Sequence, residues 1–183
     1  DMVREFSLRS YCRSALPLAV WNDKVFYPHQ CVHTHDCVEM QFIRGGAGWC
    51  AIRGRHYPML AGDLYIIPPG DTHEFTCDPG LKYINIMFDA ALFAPDEMAI
   101  FETFPVFTRS SPAKYTFHPL LQDKLAALLN ALEEELKFQN RNFRLNAKAL
   151  LIQFLVLAER NIHNSAGVCA HDDQQKISRI FHY

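Results

Sequence analysis

From Leu18 to Phe88 the chain alternates apolar and polar residues in short runs that stop at glycine, proline or aspartate. Successive side chains of a strand point to opposite faces, so this pattern marks strands with one face buried. It predicts strands at Leu18–Phe26, Val32–Ile43, Trp49–Gly54, Arg55–Leu60, Asp63–Ile67, His73–Cys77 and Lys82–Phe88. The breaks fall at Gly45-Gly46-Ala47-Gly48, Gly62, Pro68-Pro69-Gly70 and Asp78-Pro79-Gly80. Short strands at this spacing, with no crossover helix between them, predict a mainly β barrel or sandwich and argue against a parallel α/β sheet. Ala90 to Pro112 has no period but carries Phe93, Phe101, Phe104 and Phe107. It is expected to be a loop with a short helical turn whose rings pad the barrel.

At Pro119 the chemistry changes to Leu, Ala, Glu, Lys and Gln, residues that favour helix over strand. Pro119 suits a first helical position, where its missing N–H costs nothing. Leu121, Leu125, Leu128, Leu129, Leu132 and Leu136 then recur at steps of three and four, which predicts an amphipathic helix ending near Asn140. A second helix, Phe143 to Ile162, is apolar on nearly every side between Leu150 and Leu157 and needs more than one neighbour. Gln139 to Asn142 joins the two as an antiparallel hairpin. One face can cover the barrel, and the simplest partner for the other is a second copy of the chain. Asn164 to Gln175 is polar and reads as a linker, and Lys176 to Tyr183 opens a new apolar period and stops. Eight residues of helix do not stand alone, so a further domain is expected there.

Composition narrows the function classes. Hydrophobic residues make up 49% and charged residues 21%, which excludes disorder along the whole chain. Eighteen basic against 20 acidic residues leave a net charge of -2, which argues against this piece gripping nucleic acid by itself. Its longest apolar stretch, Ala147 to Ala158, is broken by Lys148 and Gln153 and is shorter than the about 20 residues that cross a bilayer. The polar first residues carry no secretory signal, and the six cysteines form no CxxC, so reduced thiols and a cytoplasmic setting are expected.

The candidate chemistry sits in His33-Thr34-His35-Asp36-Cys37-Val38-Glu39. If this is one strand, His33, His35 and Glu39 share a face. Two imidazoles and a carboxylate suit divalent zinc, iron, nickel or manganese. The Pro-Pro-Gly turn can aim His73 back toward them. The alternative is a polar pocket that binds its ligand directly. Ligating imidazoles must be neutral, so metal binding is expected to weaken below about pH 6. Gln41 shares the face of Glu39, and Trp49, after the glycine-rich turn, offers a ring that can stack on a sugar. Phe75 and Cys77 share the face of His73. Tyr83, Asn85 and Met87 alternate on another strand without showing which set turns inward. Cys37 reads as a buried, inert thiol. No phosphate loop and no GxSxG serine are present.

The spacing His33-x-His35-(three)-Glu39-(six)-Gly46, followed by Gly62-(five)-Pro68-x-Gly70-(two)-His73, resembles the two motifs of the cupin superfamily. Cys77 stands in place of the usual Asn, and Tyr27 in place of the usual Gly. The resemblance covers Val20 to Phe88 and implies a small double-stranded β-helix barrel with His33, His35, Glu39 and His73 as metal ligands. The order of barrel, hairpin, linker and cut-off helix is similar to the N-terminal half of AraC-type transcription regulators, as are the segments Gly62–His73 and Phe143–Leu155. That resemblance implies a cupin-like effector-binding barrel over 1–116, a two-helix dimerisation hairpin over 117–164, a linker over 165–175 and, at 176–183, the start of a helix-turn-helix DNA-binding domain. It further implies a small effector such as a sugar, bound by His33, His35, Glu39, Gln41, Trp49 and His73. A homodimer would form through the hairpin, DNA would be contacted only by the missing C-terminal domain, and no membrane would be involved. No catalytic residue is expected, and a divalent transition metal (Zn, Ni or Fe) is the one cofactor expected. The competing expectation is a metal-dependent cupin enzyme, a dioxygenase or isomerase, against which the helical appendage weighs.

Overall fold

The computed structural model describes residues 3–24, 29–104 and 114–162. The expected linker 165–175, the expected domain start 176–183, Tyr27 and Phe107 lie outside the described residues. Ten strands are found: β1 (Arg4–Phe6), β2 (Leu18–Lys24), β3 (His29–His35), β4 (Val38–Gly45), β5 (Gly48–Ile52), β6 (Arg55–Met59), β7 (Asp63–Ile67), β8 (His73–Cys77), β9 (Lys82–Phe88) and β10 (Lys114–Thr116). Three helices accompany them: α1 (Pro95–Phe101), α2 (Pro119–Phe138) and α3 (Phe143–Ile162). The strands form two five-stranded sheets, one ordered β1-β3-β8-β5-β6 and the other β10-β7-β4-β9-β2. Every pairing is antiparallel except that of β1 with β3. The chain is mainly β with a helical C-terminal part, as expected.

One predicted element is corrected. Val32–Ile43 is not a single strand but β3 and β4, which turn at Asp36 and Cys37 and belong to different sheets. The turn is held from a distance. Asp36 accepts from Leu8 N–H at 2.7 Å and from the Ser7 hydroxyl at 2.7 Å, while Gly70 N–H donates to the His35 carbonyl at 2.9 Å. None of these partners is local to the turn, so the alternating pattern runs through it unbroken.

The second sheet is buried on both faces. Toward the helices it presents Leu18, Val20, Met40, Phe42, Leu64, Ile66, Ile84, Ile86 and Phe88, which pack with Leu125, Leu129, Leu132, Leu136, Leu151, Phe154 and Leu155. Each of these side chains is worth roughly 1.5–3 kcal/mol of burial. Toward the first sheet the same strands present Glu39, Gln41, Ile43, Tyr65, Ile67, Asn85 and Met87, because side chains alternate along a strand. Ile43, Tyr65 and Ile67 meet Cys50, Ile52, Met59, Phe75 and Cys77, which forms an apolar plug in the space between the sheets. Gly46 closes the turn from β4 to β5 with a φ of 79°, and a Cβ there would come within 2.6 Å of the Gly80 carbonyl oxygen. Pro119 opens α2 and Gln139, at φ 49°, ends it.

Candidate metal centre

Next to the apolar plug, the interior turns polar. His33 and His35 enter from β3, His73 from β8 and Glu39 from β4, all four buried. One donor atom from each lies within 4.8 Å of all the others. His33 and His73 are direct cross-strand partners, with ring centroids 4.1 Å apart. His35 stands 5.0 Å from the His33 ring and 5.2 Å from that of His73. Glu39 reaches them from the opposite sheet, its Oε2 3.2 Å from His35 Nε2 and 2.8 Å from His73 Nε2. The four residues named from the sequence therefore do come together. The reason differs: they converge across the space between two sheets, not along one strand face.

The surroundings orient the donors. His33 Nδ1 lies 2.7 Å from the Cys31 carbonyl oxygen and His73 Nδ1 3.3 Å from that of Asp71. A carbonyl only accepts, so each Nδ1 donates and the neutral ring turns the lone pair of Nε2 inward. Glu39 Oε1 accepts from Asn85 Nδ2 at 2.8 Å and from Gln41 Nε2 at 3.3 Å. Glu39 Oε2, His73 Nε2 and both nitrogens of His35 have no partner in hydrogen-bond geometry, although their separations are short. Buried lone pairs facing one another at such distances repel unless a positive charge lies among them. Three imidazole nitrogens and one carboxylate oxygen form a donor set that fits zinc, nickel or iron.

The electrostatics agree. Burial and the neighbouring His73 lower the pKa of His33 to about 4, so it is neutral at pH 7. Burial alone would raise Glu39, but His35 and His73 beside it outweigh burial and hold the carboxyl well below its usual range. Burial pushes the Cys37 thiol far up, and Cys37 packs with Leu8, Ala19 and Met87, away from the donors.

The remaining residues divide. Gln41 joins the cluster through Glu39. Trp49 does not: β5 pairs it with Pro58 and Thr76, on the face of the first sheet opposite to His73 and Phe75. The inward-facing tryptophan is Trp21, aligned with Asn85 on β9 and stacked on Tyr11 at 5.3 Å with an interplanar angle of 13°. Phe6 lies beside His33 and His35, at 5.2 and 5.7 Å. Asn85, Trp21, Tyr11 and Phe6 went unassigned in the sequence because alternation does not tell inside from outside. The register Gln41↔Asn85↔Trp21 does.

Comparison with known proteins places the chain. It matches the AraC-like ligand binding domain over residues 28–155, more than half its length. It is 25% identical over 154 residues to the HTH-type transcriptional activator RhaR of Mannheimia succiniciproducens, with 82% of this chain and 52% of that protein covered. The chain thus spans about half the length of the curated relative it matches. Among solved structures, a cupin-like protein of Thermotoga maritima is 25% identical with a TM-score of 0.37, over 44% of this chain and 63% of that one. KdgF from Halomonas sp. is 18% identical with a TM-score of 0.38, over 46% of this chain and 79% of that one. No helix among the described residues is long and apolar enough to cross a membrane. With the match running from the strands of the buried cluster into α3, the chain belongs to the AraC-like ligand-binding domain family.

Proposed function

We propose that the chain is the effector-sensing and dimerisation part of an AraC-type transcription regulator. The observation that carries this reading is the family match over residues 28–155, which takes in the strands of the polar cluster, all of α2 and most of α3. In this reading residues 1–116 are a cupin-like barrel and 117–164 a dimerisation hairpin. His33, His35, Glu39 and His73 hold a divalent transition metal (Zn, Ni or Fe). When bound, it supplies a Lewis acid that an effector oxygen can approach.

The effector is a small polar molecule, and a sugar is the class the interior suits. The Trp21–Tyr11 pair offers a ring face, while Gln41 and Asn85 offer side-chain amides on the adjacent strands. Trp49 takes no part in this pocket. The signal passes through the second sheet, whose strands β4 and β9 carry the cluster on one face and the seat of α2 and α3 on the other. An effector that binds one arrangement of barrel and helices more tightly shifts the population toward it.

The hairpin pairs with a second copy through the part of α3 turned away from the sheet. Leu145 is exposed there, and Ile152 and Val156 are only partly buried. DNA is contacted by a helix-turn-helix domain outside this chain, in keeping with the net charge of -2. A second reading, a metal-dependent cupin enzyme, draws on the same three-histidine, one-carboxylate set.

The test is a thermal-shift screen of sugars against the zinc-loaded chain, followed by promoter binding of the full regulator with and without the hit. A ligand at 100 times its Kd stabilises by about 2.7 kcal/mol. Trp21→Ala should abolish the shift and Trp49→Ala should keep it. Turnover of a small substrate by the metal-loaded chain, with no effect of any sugar on promoter binding, would favour the enzyme. Sedimentation as a strict monomer at high concentration would remove the dimer.

A further inference from the structure

The carboxylate of Glu39 has two oxygens, and the fold treats them differently. Oε2 faces His35 and His73 and has no hydrogen-bond donor. Oε1 is turned the other way and receives two amide donors, Asn85 Nδ2 at 2.8 Å and Gln41 Nε2 at 3.3 Å. Asn85 is 3% exposed, stands directly opposite Gln41 across β9 and β4, and has no partner for its own Oδ1. A carboxylate that swings to bind a cation through both oxygens must give up these donors. Asn85 Nδ2 would then be left buried and unpaired, at a cost of roughly 1–3 kcal/mol.

We infer that Asn85 is a positioning residue that restricts Glu39 to one-oxygen coordination, so that the centre presents three nitrogens and one oxygen and favours a four-coordinate ion. The inference rests on the metal reading proposed above. It adds the residue that sets the coordination number, which none of the four ligands determines alone. Asn85 touches neither the ion nor the effector in this role. It acts through Glu39, with Gln41 as the weaker second donor.

The test uses the 183-residue chain loaded with Co²⁺ or Zn²⁺. Four-coordinate cobalt absorbs strongly in the visible, and higher coordination numbers absorb weakly. Asn85→Leu keeps the side-chain volume and removes the donor. The expected result is an intense band in the wild type, a several-fold weaker band in N85L, and zinc binding weakened about 10–100-fold in competition with a chelator. The melting temperature of the metal-free chains should stay similar, because the leucine also removes an unpaired oxygen. If N85L does not fold, the infrared difference spectrum of the wild type with and without zinc decides. A wide separation between the two carboxylate stretching bands reports binding through one oxygen and supports the inference. A narrow separation reports binding through both and overturns it. A wild type that binds cobalt, with N85L unchanged in band and affinity, overturns this inference alone. A wild type that takes up neither ion overturns the metal reading and the inference together.

Discussion

Removing metal and lowering the pH should unfold this chain in a window set by one histidine. His33 titrates near pH 4 in the fold against an ordinary value of 6.5, because burial and His73 disfavour its charged form. The unfolded chain takes up the proton at the higher pH. Stability from this group is therefore fully present above about pH 6.5 and is lost as the pH falls toward 4. At 1.36 kcal/mol per unit of displacement, the loss reaches at most about 3 kcal/mol. Glu39 acts in the same direction but only below its ordinary value of 4.5, so the span from 6.5 to 4.5 isolates His33. The assay is the urea midpoint of the EDTA-treated chain across that span, for the wild type and for His33→Gln, which does not titrate. With a slope of about 2 kcal/mol per molar, the wild-type midpoint should fall by about 1 M more than that of the variant. Parallel profiles for the two proteins would refute the burial argument. In the metal-loaded chain, the low value of His33 should also carry its share of metal binding below the limit near pH 6 that an unperturbed imidazole sets.

Two further outcomes follow from the packing. Phe154→Ala opens a hole where α3 meets the second sheet, a fully buried position, and should cost about 3–5 kcal/mol in denaturant titration; a loss below 1 kcal/mol would mean that the helices are not seated there. Asp63 is buried with Lys114 at 3.1 Å, the Thr116 hydroxyl at 2.7 Å and Leu60 N–H at 2.9 Å, so Lys114→Met should destabilise by about 3 kcal/mol at pH 7. Burial already raises the pKa of Asp63 despite these partners, so without the lysine it should take up a proton more readily. The deficit should then shrink at pH 5; an equal deficit at both pH values would argue against a buried carboxylate.

Strands bounded by glycine and proline were legible to the residue. β7, β8 and β9 begin and end where Gly62, Pro68, Asp78-Pro79-Gly80 and the alternation place them. The turn at Asp36 was not, because its restraints come from Ser7, Leu8 and Gly70. β1 and β10 are three residues each and take their order from β3 and β7, far away in the chain, so no local period announces them. The four candidate ligands were found because their residue types are rare together in an apolar context. Trp21 and Asn85 needed the strand register, since only pairing decides which half of an alternating strand turns inward.

The architecture of β4 bears on how this protein can change over time. Glu39 and Gln41 serve the cluster, while Met40 and Phe42 between them seat the helices. Sensing and its transmission are thus interleaved letter by letter on one strand. A single-residue insertion or deletion anywhere in Glu39–Phe42 would exchange the two sets at once, placing the carboxylate against the helices and the methionine among the imidazoles. Substitutions can retune either function separately, but the reading frame of the strand is common to both. Length variation in this family member should therefore collect in the turns around β4 and leave the strand itself untouched.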